Sequence, residues 1–318
     1  MERGHLSVLR DFGYDVRHIP TYTSRSCARA ALLFLGSLAA IVLMWRRPSI
    51  GHLHISQRGS VVRGLIVGSL LRLRSVPLVI TIHGSGFRGF AAGHPQLVRL
   101  LLKKATVVTV LSEATARTVR GLHPDVDVRL IPNAVRPSAC ELDPADSRKV
   151  LFAGELSRRK GLDQLLAAWR DLPQEVIGAE LLVAGPVGDV AVTDRPGVRY
   201  LGVLDPSEVA ERICRSRLAV LPSRAEAMPM FLLESMAAGR PVITTAIEDL
   251  RVVVGSGGKL VDAEDVGQLR DALRSALVDD DWVRTAGVEA RRRIEDEYSL
   301  EHVGQSLRRL YDEVVHER

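Results

Sequence analysis

Short apolar runs of three to six residues alternate along the chain with longer stretches of helical periodicity. The first series predicts strands at Asp15–Pro20, Ile50–Ile55, Leu78–His83, Thr106–Leu111 and Val128–Ile131. The alternation restarts after PNAVRPSACELDPADSRK, and the second series predicts strands at Val150–Ala153, Glu180–Ala184, Val198–Leu201, Leu218–Leu221 and Val242–Thr244. Nearly continuous Val, Ile and Leu strands separated by helices are typical of parallel sheets covered on both faces.

The two series predict two doubly wound, Rossmann-like α/β domains that face each other across a cleft. The first occupies residues 1–146 and the second residues 147–299, and a length of 318 residues agrees with two cores. Ligands of such sheets bind beyond the carboxyl ends of the strands, so the cleft is the expected site.

The beginning of the chain departs from this pattern. Met1–Phe12 is predicted to be the tail of a helix that leads at once into a strand. A doubly wound domain usually opens with a strand and a glycine-rich turn, and neither is found here. We therefore expect the first domain to lack its first strand, either because the start at Met1 is misassigned or because the protein is a shortened variant.

Charge is distributed unevenly between the two halves. Residues 1–147 contain 19 Lys and Arg against nine Asp and Glu, a net charge of +10, and the remainder has a net charge of −5. The basic half favours an anionic partner, such as nucleic acid, an anionic lipid surface or a phosphorylated substrate. Aromatic residues make up only 4% of the chain and do not alternate with basic ones, so a nucleic acid partner is not expected.

Cysteine usage and one apolar segment bear on the compartment. Cys27, Cys140 and Cys214 are too few and too far apart for a disulfide framework or a zinc site, which favours the cytoplasm. The uninterrupted apolar part of residues 28–45 spans only about 24 Å as a helix, short of a bilayer core of about 30 Å. A core helix is expected there, with peripheral contact to a membrane left open.

The stretch SRAEAMPMFLLESMAAGRPVI, residues 223–243, follows the predicted strand Leu218–Leu221. Pro229 is suited to the first position of a helix that ends at Ala238, with Gly239 just beyond it. Glu226 then lies in the loop and Glu234 in the second helical turn. A carboxylate on each side of a helix N-terminus that binds phosphate suits a nucleotide sugar, whose hydroxyls flank a diphosphate. The alternative is that both glutamates are solvated surface residues.

A basic loop occupies the corresponding place after the strand Val150–Ala153. It contains Arg158, Arg159 and Lys160, and a helix is predicted to start near Leu162. Lys160 can bind phosphate by charge there, assisted by the helix dipole. A solvated basic loop is the alternative.

Taken together, the two motifs FAGELSRRKG and EAMPMFLLESMAAGRPVI resemble those of the retaining glycosyltransferases of family 4, which have the two-domain GT-B fold. HLHISQRGS, VITIHGSGF, VLSE, IPNAV, LLVAGP and YLGVL follow in the expected order. The resemblance implies that residues 300–318 form a helix that crosses back to the first domain.

The resemblance also implies roles for individual residues. Lys160 would bind the donor diphosphate, Glu234 the ribose hydroxyls, and Glu226 the transferred sugar. His83 would act beside the anomeric carbon, so that His83, Lys160 and Glu226 form the catalytic set. The donor-binding set is Arg158, Arg159, Lys160, Gly185, Gly202, Val203, Glu226, Met228, Pro229, Met230, Phe231 and Glu234. The acceptor-side set is Arg58, His83 and Ser85. Glu155 stands where the family commonly has arginine, and Ala134 and Ala227 replace frequent glycines.

Three further patterns suggest other chemistry. GSGFRG, residues 84–89, fits a dinucleotide-binding fingerprint, but Phe87 and Arg88 are bulky and Gly93-His94-Pro95 interrupts the helix that should follow. DDDW, residues 279–282, resembles an acidic metal motif, and a helix-capping role is expected instead. His52, His54 and His83 lie on neighbouring predicted strands without an acidic partner, so no metal site is expected.

The sequence therefore predicts an enzyme of class EC 2.4 that transfers a hexosyl group from a nucleoside diphosphate sugar with retention, without a metal or other cofactor. The expected acceptor is a glycan or a polyprenyl-linked sugar in cell-envelope or exopolysaccharide biosynthesis. The expected location is the cytoplasm, with peripheral contact to the inner face of the cytoplasmic membrane. A nucleotide-sugar epimerase of the same fold and an inactive nucleotide-sugar-binding scaffold are the alternatives.

Overall fold

The computed structural model describes residues 9–10, 13–23, 26–138, 140–173, 176, 178–192 and 196–316. The chain divides into two compact units. Unit 1 consists of Met1–Pro132 together with Val303–Arg318, and unit 2 consists of Asn133–His302. Most of the helix tail predicted at Met1–Phe12 lies outside the described residues. Positions 9 and 10, the two residues of this segment that are described, are helical.

Unit 1 contains one parallel sheet of four described strands in the order β1-β2-β3-β4. The strands are β1 Gly51–Ile55, β2 Leu78–Ile82, β3 Val107–Val110 and β4 Asp127–Leu130. The helices are α1 Cys27–Val42, α2 Gly59–Leu73, α3 Phe87–Gly93, α4 Pro95–Leu102, α5 Glu113–Leu122 and, at the end of the chain, α12 Leu300–His316. All residues of β2 and β3 are buried, as expected of central parallel strands.

The predicted strand at Asp15–Pro20 is wrong, because this segment has no regular structure. Its charged and polar residues Asp15, Arg17 and His18 interrupt the apolar run that a central parallel strand needs. The segment supports α1 instead, since the Ser37 hydroxyl donates a hydrogen bond to the carbonyl of Pro20 at 2.7 Å.

The last helix packs against the body of unit 1 through polar contacts. The hydroxyl of Tyr14 donates to a carboxylate oxygen of Asp312 at 2.9 Å, and the Tyr311 hydroxyl lies 2.5 Å from Nδ1 of His52. The Tyr14 and Tyr311 rings meet edge to face at 5.6 Å. Residues from Val303 onward therefore complete unit 1, although unit 2 separates them from the rest of it in sequence.

Unit 2 contains a parallel sheet of six strands in the order β10-β9-β8-β5-β6-β7. The strands are β5 Lys149–Ala153, β6 Glu180–Ala184, β7 Val198–Tyr200, β8 Leu218–Leu221, β9 Val242–Thr245 and β10 Gly258–Val261. The helices are α6 Leu162–Arg170, α7 Pro206–Cys214, α8 Met230–Ala237, α9 Glu248–Val254, α10 Val266–Val278 and α11 Asp280–Arg293. Successive strands are added in one direction from β5 to β7 and in the opposite direction from β8 to β10. The strand order therefore reverses between β5 and β8, although all six strands are parallel.

The pattern of apolar residues does not indicate β10. This edge strand has the sequence GKLV and only its last residue is buried, so it lacks the continuous apolar run of the central strands. The capping role predicted for DDDW is confirmed, because the Asp279 carboxylate accepts a hydrogen bond from the Trp282 N–H at 2.8 Å at the start of α11. In the described parts of the chain, no helix has the length and apolarity needed to traverse a bilayer.

Candidate functional site

The loops after β5 and β8 lie side by side at the carboxyl edge of the sheet of unit 2. Leu151 of β5 pairs with Ala219 of β8, and the strand order reverses between these two strands. The carboxyl edge at such a reversal is where open α/β sheets bind ligands, because the two following loops diverge and leave a crevice. The two motifs that contain Lys160 and Glu226 thus lie where a sheet of this kind is expected to bind its ligand.

A glycine and an arginine hold the two loops together. Gly161 has φ +73°, and a Cβ built on it would lie 1.9 Å from the carbonyl oxygen of Pro222. The Arg224 N–H donates to the carbonyl of Arg159 at 2.9 Å, and the Arg224 guanidinium contacts both oxygens of Asp163 at 2.8 and 3.0 Å. The backbones approach this closely because only glycine fits at position 161.

An ion pair connects the two loops at the centre of the site. Lys160 Nζ lies 2.6 Å from Oε1 of Glu226, whose residue is 8% exposed. The same oxygen accepts a hydrogen bond from the buried Ser223 hydroxyl at 2.9 Å, and an Arg159 guanidinium nitrogen lies 3.8 Å from it. These contacts all meet at Oε1, and within the described part of the chain no hydrogen bond reaches Oε2. One carboxylate oxygen is therefore fixed by the protein and the other is left to act as an acceptor.

Helix α8 begins close to this ion pair. Pro229 is its capping residue with φ −72° and ψ 124°, so the prediction that Pro229 is the first helical residue is wrong by one position. Pro229 has no N–H to offer a ligand, whereas Met230 and Phe231 are the first helical residues and their N–H groups have no partner within the helix. The buried Asn133 side chain donates to the Met228 carbonyl at 2.9 Å and fixes the entry to the helix.

Glu234 lies in the second turn of α8 and is partly buried. Burial raises the pKa of its carboxyl above the ordinary value, because the charged form is poorly solvated there. The carboxylate is thus ionised at some cost, which a hydrogen-bond donor from a ligand would reduce.

A row of glycines marks the carboxyl ends of β5, β6 and β7. A Cβ on Gly185, with φ +136°, would lie 1.8 Å from the carbonyl oxygen of Gly154, and the Lys160 side chain passes within 4 Å of the Gly154 Cβ position. Gly185 N–H donates to the Gly202 carbonyl at 2.8 Å. Val203 follows as an exposed residue. Gly185, Gly202 and Val203 therefore border the same edge of the sheet as Lys160.

The two arginines of the basic loop differ in their contacts. Arg159 approaches both Glu155, at 3.4 Å, and Glu226. The Arg158 side chain is exposed, and its backbone N–H donates to the Asp189 carboxylate at 2.9 Å. The structure thus places the Arg159 side chain near the ion pair, whereas Arg158 contacts the loop that follows β6 through its backbone.

The residues predicted for the acceptor side lie in unit 1, on the loops after β1 and β2. His83 and Ser85 follow β2, and Arg58 lies in the adjacent loop with an unusual φ of +51°. The His83 N–H donates to the Ile55 carbonyl, and the Cβ position of Gly86 falls on the side chain of Gln57, so the two loops are packed together. Strained backbone of this kind is concentrated at functional sites.

His52, His54 and His83 form a row of stacked rings. Ring centroids lie 4.5 Å apart between His52 and His54 and 4.9 Å apart between His54 and His83. Ring nitrogens of His54 and His83 lie 2.7 Å apart, and those of His52 contact Tyr311 and Thr81. No cluster of three or more His, Cys, Asp or Glu side chains with a metal-binding arrangement occurs among the described residues.

Several residues that shape the site are not singled out by the sequence. Ser223, Arg224 and Asn133 lie within quoted motifs, yet nothing in the pattern distinguishes them from solvated loop residues. Ser223 follows the buried strand Leu218–Leu221 almost directly, which places it at the edge of the sheet but does not predict its contact with Glu226. Gly161 carried a signal, since a glycine between a basic loop and a helix indicates positive φ.

The arrangement combines complementary binding groups. Lys160 retains two of its three ammonium hydrogens after pairing with Glu226, and Arg159 adds a second cation. The N–H groups of Met230 and Phe231 add anion-binding donors, while Glu226 and Glu234 accept from hydroxyls. A ligand that carries phosphate between two hydroxyl-bearing groups fits this set.

Two family models match the chain, one described as "Glycosyl transferase 4-like domain" over residues 9–134 and one as "Glycosyl transferases group 1" over residues 147–279. The D-inositol 3-phosphate glycosyltransferase 1 of Catenulispora acidiphila is 29% identical over 313 residues, which cover 84% of this chain and 73% of that protein. The glycogen synthase of Mycobacterium tuberculosis is 26% identical over 267 residues, and the chain covers 64% of its length, less than two thirds.

Solved structures share the fold. The sucrose-phosphate synthase of Thermosynechococcus elongatus superposes with a TM-score of 0.73 at 23% identity over 96% of this chain and 82% of that one. Anabaena HepE in complex with UDP and glucose superposes with a TM-score of 0.73 at 16% identity over 97% and 89% of the two chains.

Proposed function

Because the chain belongs to the group 1 glycosyltransferases and has their GT-B fold, we propose that it transfers a hexosyl group from a nucleoside diphosphate sugar with retention at the anomeric carbon. The proposed acceptor is a glycan or a polyprenyl-linked sugar of cell-envelope or exopolysaccharide biosynthesis. Fold neighbours support the donor class, since structures of Anabaena HepE are complexes with UDP and glucose and with UDP-glucose.

The observation that carries this proposal is the Lys160–Glu226 ion pair, which lies where the strand order of the unit 2 sheet reverses. Glu226 uses one oxygen to bind Lys160 and Ser223 and keeps the other for a ligand hydroxyl. Lys160 keeps two N–H donors for phosphate oxygens. The ion pair thus joins the sugar-binding and phosphate-binding halves of a donor site and does not block either.

The leaving diphosphate gains negative charge as the glycosidic bond breaks. Lys160, Arg159 and the N–H groups of Met230 and Phe231 are the groups proposed to stabilise it, and fixed donors of this kind are effective where charge develops in the transition state. We propose that these groups make a metal ion unnecessary. Turnover that is unchanged by EDTA supports this point, and turnover restored only by a divalent cation refutes it.

The proposed route to retention is attack of the acceptor hydroxyl on the face that the diphosphate leaves. The acceptor oxygen forms a bond to the anomeric carbon, the carbon–oxygen bond to the diphosphate breaks, and a phosphate oxygen takes the hydroxyl proton. We propose His83 as the unit 1 residue beside the reacting carbon, and Arg58 and Ser85 for the acceptor.

The proposal is tested by separating binding from turnover. Calorimetry with UDP, GDP, ADP and dTDP identifies the base, and radiolabelled donors with candidate acceptors then report transfer and hydrolysis. Transfer with retained anomeric configuration, read by NMR, supports the proposal. Binding without transfer or hydrolysis favours a scaffold, and a sugar epimer formed without acceptor favours an epimerase.

Glu226→Gln is expected to lower turnover by about 10²-fold while changing nucleotide affinity less than threefold, because a charged acceptor of the sugar hydroxyl is lost and the phosphate contacts remain. Stopped assays with saturating donor and calorimetry with the bare nucleotide measure the two effects. Glu155→Gln is the matched control, since Glu155 also contacts Arg159 but not Lys160. Equal turnover in all three proteins removes Glu226 from the catalytic set.

Glu234→Gln is expected to have opposite effects on stability and on binding. Burial raises the pKa of Glu234, so the ionised side chain destabilises the folded chain increasingly as pH rises through that value, and glutamine removes this cost. Ribose hydroxyls prefer the ionised acceptor, so nucleotide affinity should rise with pH over the same interval in the wild type. The variant should bind about 10-fold more weakly at neutral pH, with no pH dependence from this position.

Chemical denaturation and calorimetry across pH 4–8 measure these two effects. A variant that is no more stable than the wild type at neutral pH and binds nucleotide equally well contradicts the role of Glu234. Glu248→Gln, on the neighbouring helix α9, is the control for loss of a glutamate from unit 2.

We also propose that unit 1 docks peripherally on an anionic membrane surface. One face of α1 packs on the core through Ile41 and Ser37, yet the opposite face is apolar too. The exposed apolar residues of α1 and the segment after it are Leu32, Leu35, Val42, Leu43 and Trp45, of which Leu43 is 80% and Trp45 98% exposed. Arg29, Arg46 and Arg47 flank this apolar face and are exposed. An apolar strip edged by arginines, with a tryptophan at its end, complements the interface of an anionic bilayer.

Replacing Leu43 and Trp45 together with glutamate is expected to reduce binding to phosphatidylglycerol-containing vesicles at least 10-fold, because the variant loses buried apolar area and adds repulsion. Sedimentation with vesicles of phosphatidylglycerol and phosphatidylcholine, compared with phosphatidylcholine alone, measures this effect. Val252→Glu, an exposed apolar residue of unit 2, is the control. Equal binding by all three proteins, or no preference for the anionic lipid, refutes membrane docking.

A further inference from the structure

A buried arginine in unit 2 lies outside the candidate donor site. Arg240 connects the end of α8 to β9 and is 1% exposed. Its Nη2 donates to the Leu142 carbonyl at 2.7 Å, while Nε and Nη1 are buried without a hydrogen-bond partner among the described residues. Within the same residues no carboxylate forms an ion pair with the guanidinium. The Asp143 carboxylate pairs with Arg284 and interacts with Arg240 only through space.

Burial of an arginine without a contacting anion is unfavourable, so a neighbouring group that can carry negative charge is expected beside it. The Cys140 sulfur lies 2.7 Å from Arg240 Nη2. Cys140 is therefore the contacting side chain that can provide a negative charge, by losing its thiol proton.

The second cysteine of unit 2 lies against the first. The Cys140 thiol donates a hydrogen bond to the backbone carbonyl oxygen of Cys214, the last residue of α7, at 3.5 Å, and each thiol shifts the pKa of the other. Both side chains are partly exposed, so small molecules can reach them.

The surroundings separate the acidities of the two thiols. Burial alone would raise the pKa of Cys140, but hydrogen bonds from Cys214 and Arg240 and the charge of Arg240 outweigh it and lower the pKa below its ordinary value. Burial, the hydrogen bond to Cys140 and its charge raise the pKa of Cys214 to about 11. The surroundings thus favour ionisation of Cys140 over ionisation of Cys214.

We propose that Cys140 and Cys214 form a thiol oxidation site, with Cys140 as the attacking thiolate, Cys214 as the resolving thiol and Arg240 as the group that activates Cys140. The oxidant is a hydroperoxide. The Cys140 thiolate attacks the peroxide, so that a sulfur–oxygen bond forms and the oxygen–oxygen bond breaks. The leaving alkoxide or hydroxide takes a proton, and Cys140 becomes a sulfenic acid.

Cys214 then loses its proton and attacks the Cys140 sulfur. A sulfur–sulfur bond forms, the sulfur–oxygen bond breaks, and water leaves. In total, two thiols lose two electrons to one hydroperoxide, which is reduced to an alcohol and a water molecule or, for hydrogen peroxide, to two water molecules. The disulfide carries no charge, so Arg240 loses its contacting anion on oxidation.

The experiment uses the full chain with Cys27→Ser as background and hydrogen peroxide as the oxidant. Non-reducing peptide mapping is expected to show a Cys140–Cys214 disulfide. In Cys214→Ser, Cys140 should stop at the sulfenic acid, which dimedone traps. In the folded chain, Cys140 should react with iodoacetamide at pH 7 at least 10-fold faster than Cys214, as read from the alkylated peptides. Its pH–rate profile should have an inflection at lower pH than that of Cys214.

Arg240→Met is expected to slow alkylation of Cys140 at pH 7 at least 10-fold and to shift the inflection upward. If this variant does not fold, the pH–rate profiles of Cys140 and Cys214 in the chain that retains Arg240 show by themselves whether Cys140 is the more reactive thiol. Cys140 alkylating no faster than Cys214, or neither disulfide nor sulfenic acid at peroxide concentrations that oxidise free cysteine, overturns the proposal. None of these readouts depends on glycosyl transfer.

Discussion

Lys160→Ala is expected to lower turnover by about 10²–10³-fold, because it removes a fixed cation from the place where the leaving diphosphate gains charge. Affinity for the bare nucleoside diphosphate should fall about 10-fold or more, since a charge-assisted hydrogen bond is lost in the ground state too. The same change leaves the Glu226 carboxylate with Ser223 and with Arg159 at 3.8 Å as its remaining contacts. Calorimetry and a donor-saturated assay measure affinity and turnover separately.

Lys149→Ala is the matched control for Lys160→Ala. Lys149 begins β5 and Lys160 lies in the loop that follows this strand, so the control removes the same charge from the opposite edge of the same sheet. An equal loss in both variants would mean that net charge, not position, binds the donor. Unchanged affinity in Lys160→Ala would transfer the phosphate-binding role to Arg159 or Arg158.

Gly161→Ala is expected to lower turnover by about 10²-fold or more without touching a ligand-binding side chain. The new Cβ would overlap the Pro222 carbonyl oxygen at 1.9 Å, and φ +73° is unfavourable for alanine. The β5 and β8 loops must then separate, which draws Lys160 away from Glu226, and a displacement of about 1 Å at a site can cost about 10²-fold in rate. Steady-state kinetics and thermal unfolding measure the two consequences.

Gly178→Ala is the control that distinguishes the backbone strain of an alanine at positive φ from the displacement of the β5 and β8 loops expected in Gly161→Ala. Gly178 has φ +90°, but among the described residues its Cβ position meets nothing closer than an arginine side-chain nitrogen at 4.0 Å. This control should lose about 1–2 kcal/mol of stability from the backbone conformation alone and keep its turnover. If Gly161→Ala behaves in the same way, contact between the two loops is not what positions the ion pair.

The amino-acid pattern identified the strands that build the site but not the contacts that complete it. The strand Leu218–Leu221 was predicted with its observed limits, because an uninterrupted apolar run flanked by turn residues is a strong signal. The same rule failed at Asp15–Pro20, where polar residues break the run, and at β10, an edge strand with little buried surface. Asp15–Pro20 is largely exposed and forms no strand, whereas β10 forms a strand with only its last residue buried. Because apolar periodicity reports burial, it does not detect an exposed edge strand such as β10.

The position of Lys160 beside Glu226 is a property of the tertiary structure. These residues are 66 positions apart, and their contact depends on the pairing of β5 with β8 and on a glycine that lets two backbones meet. The parallel arrangement predicts that the loops share an edge. It does not predict which nitrogen meets which oxygen, so the roles of Ser223 and Arg224 could not be read from the sequence.

Arg58 and Glu234 show two costs that the fold carries at candidate functional positions. Arg58 has positive φ without being a glycine, and Glu234 has a raised pKa because its charge is poorly solvated. Each reduces stability, and each lies on an element proposed to contact substrate. Variants that relieve either cost should be more stable and less active.

The interruption of unit 1 by unit 2 has a consequence for the order of events at the ribosome. Asn133–His302 is contiguous and can reach its final structure as soon as it has emerged, whereas unit 1 must wait for Tyr311 and Asp312 to reach His52 and Tyr14. During synthesis the basic first half therefore exists for a time without its closing helix. A released chain that ends at His302 should therefore be protected from protease in residues 133–302 and cleaved in residues 1–132.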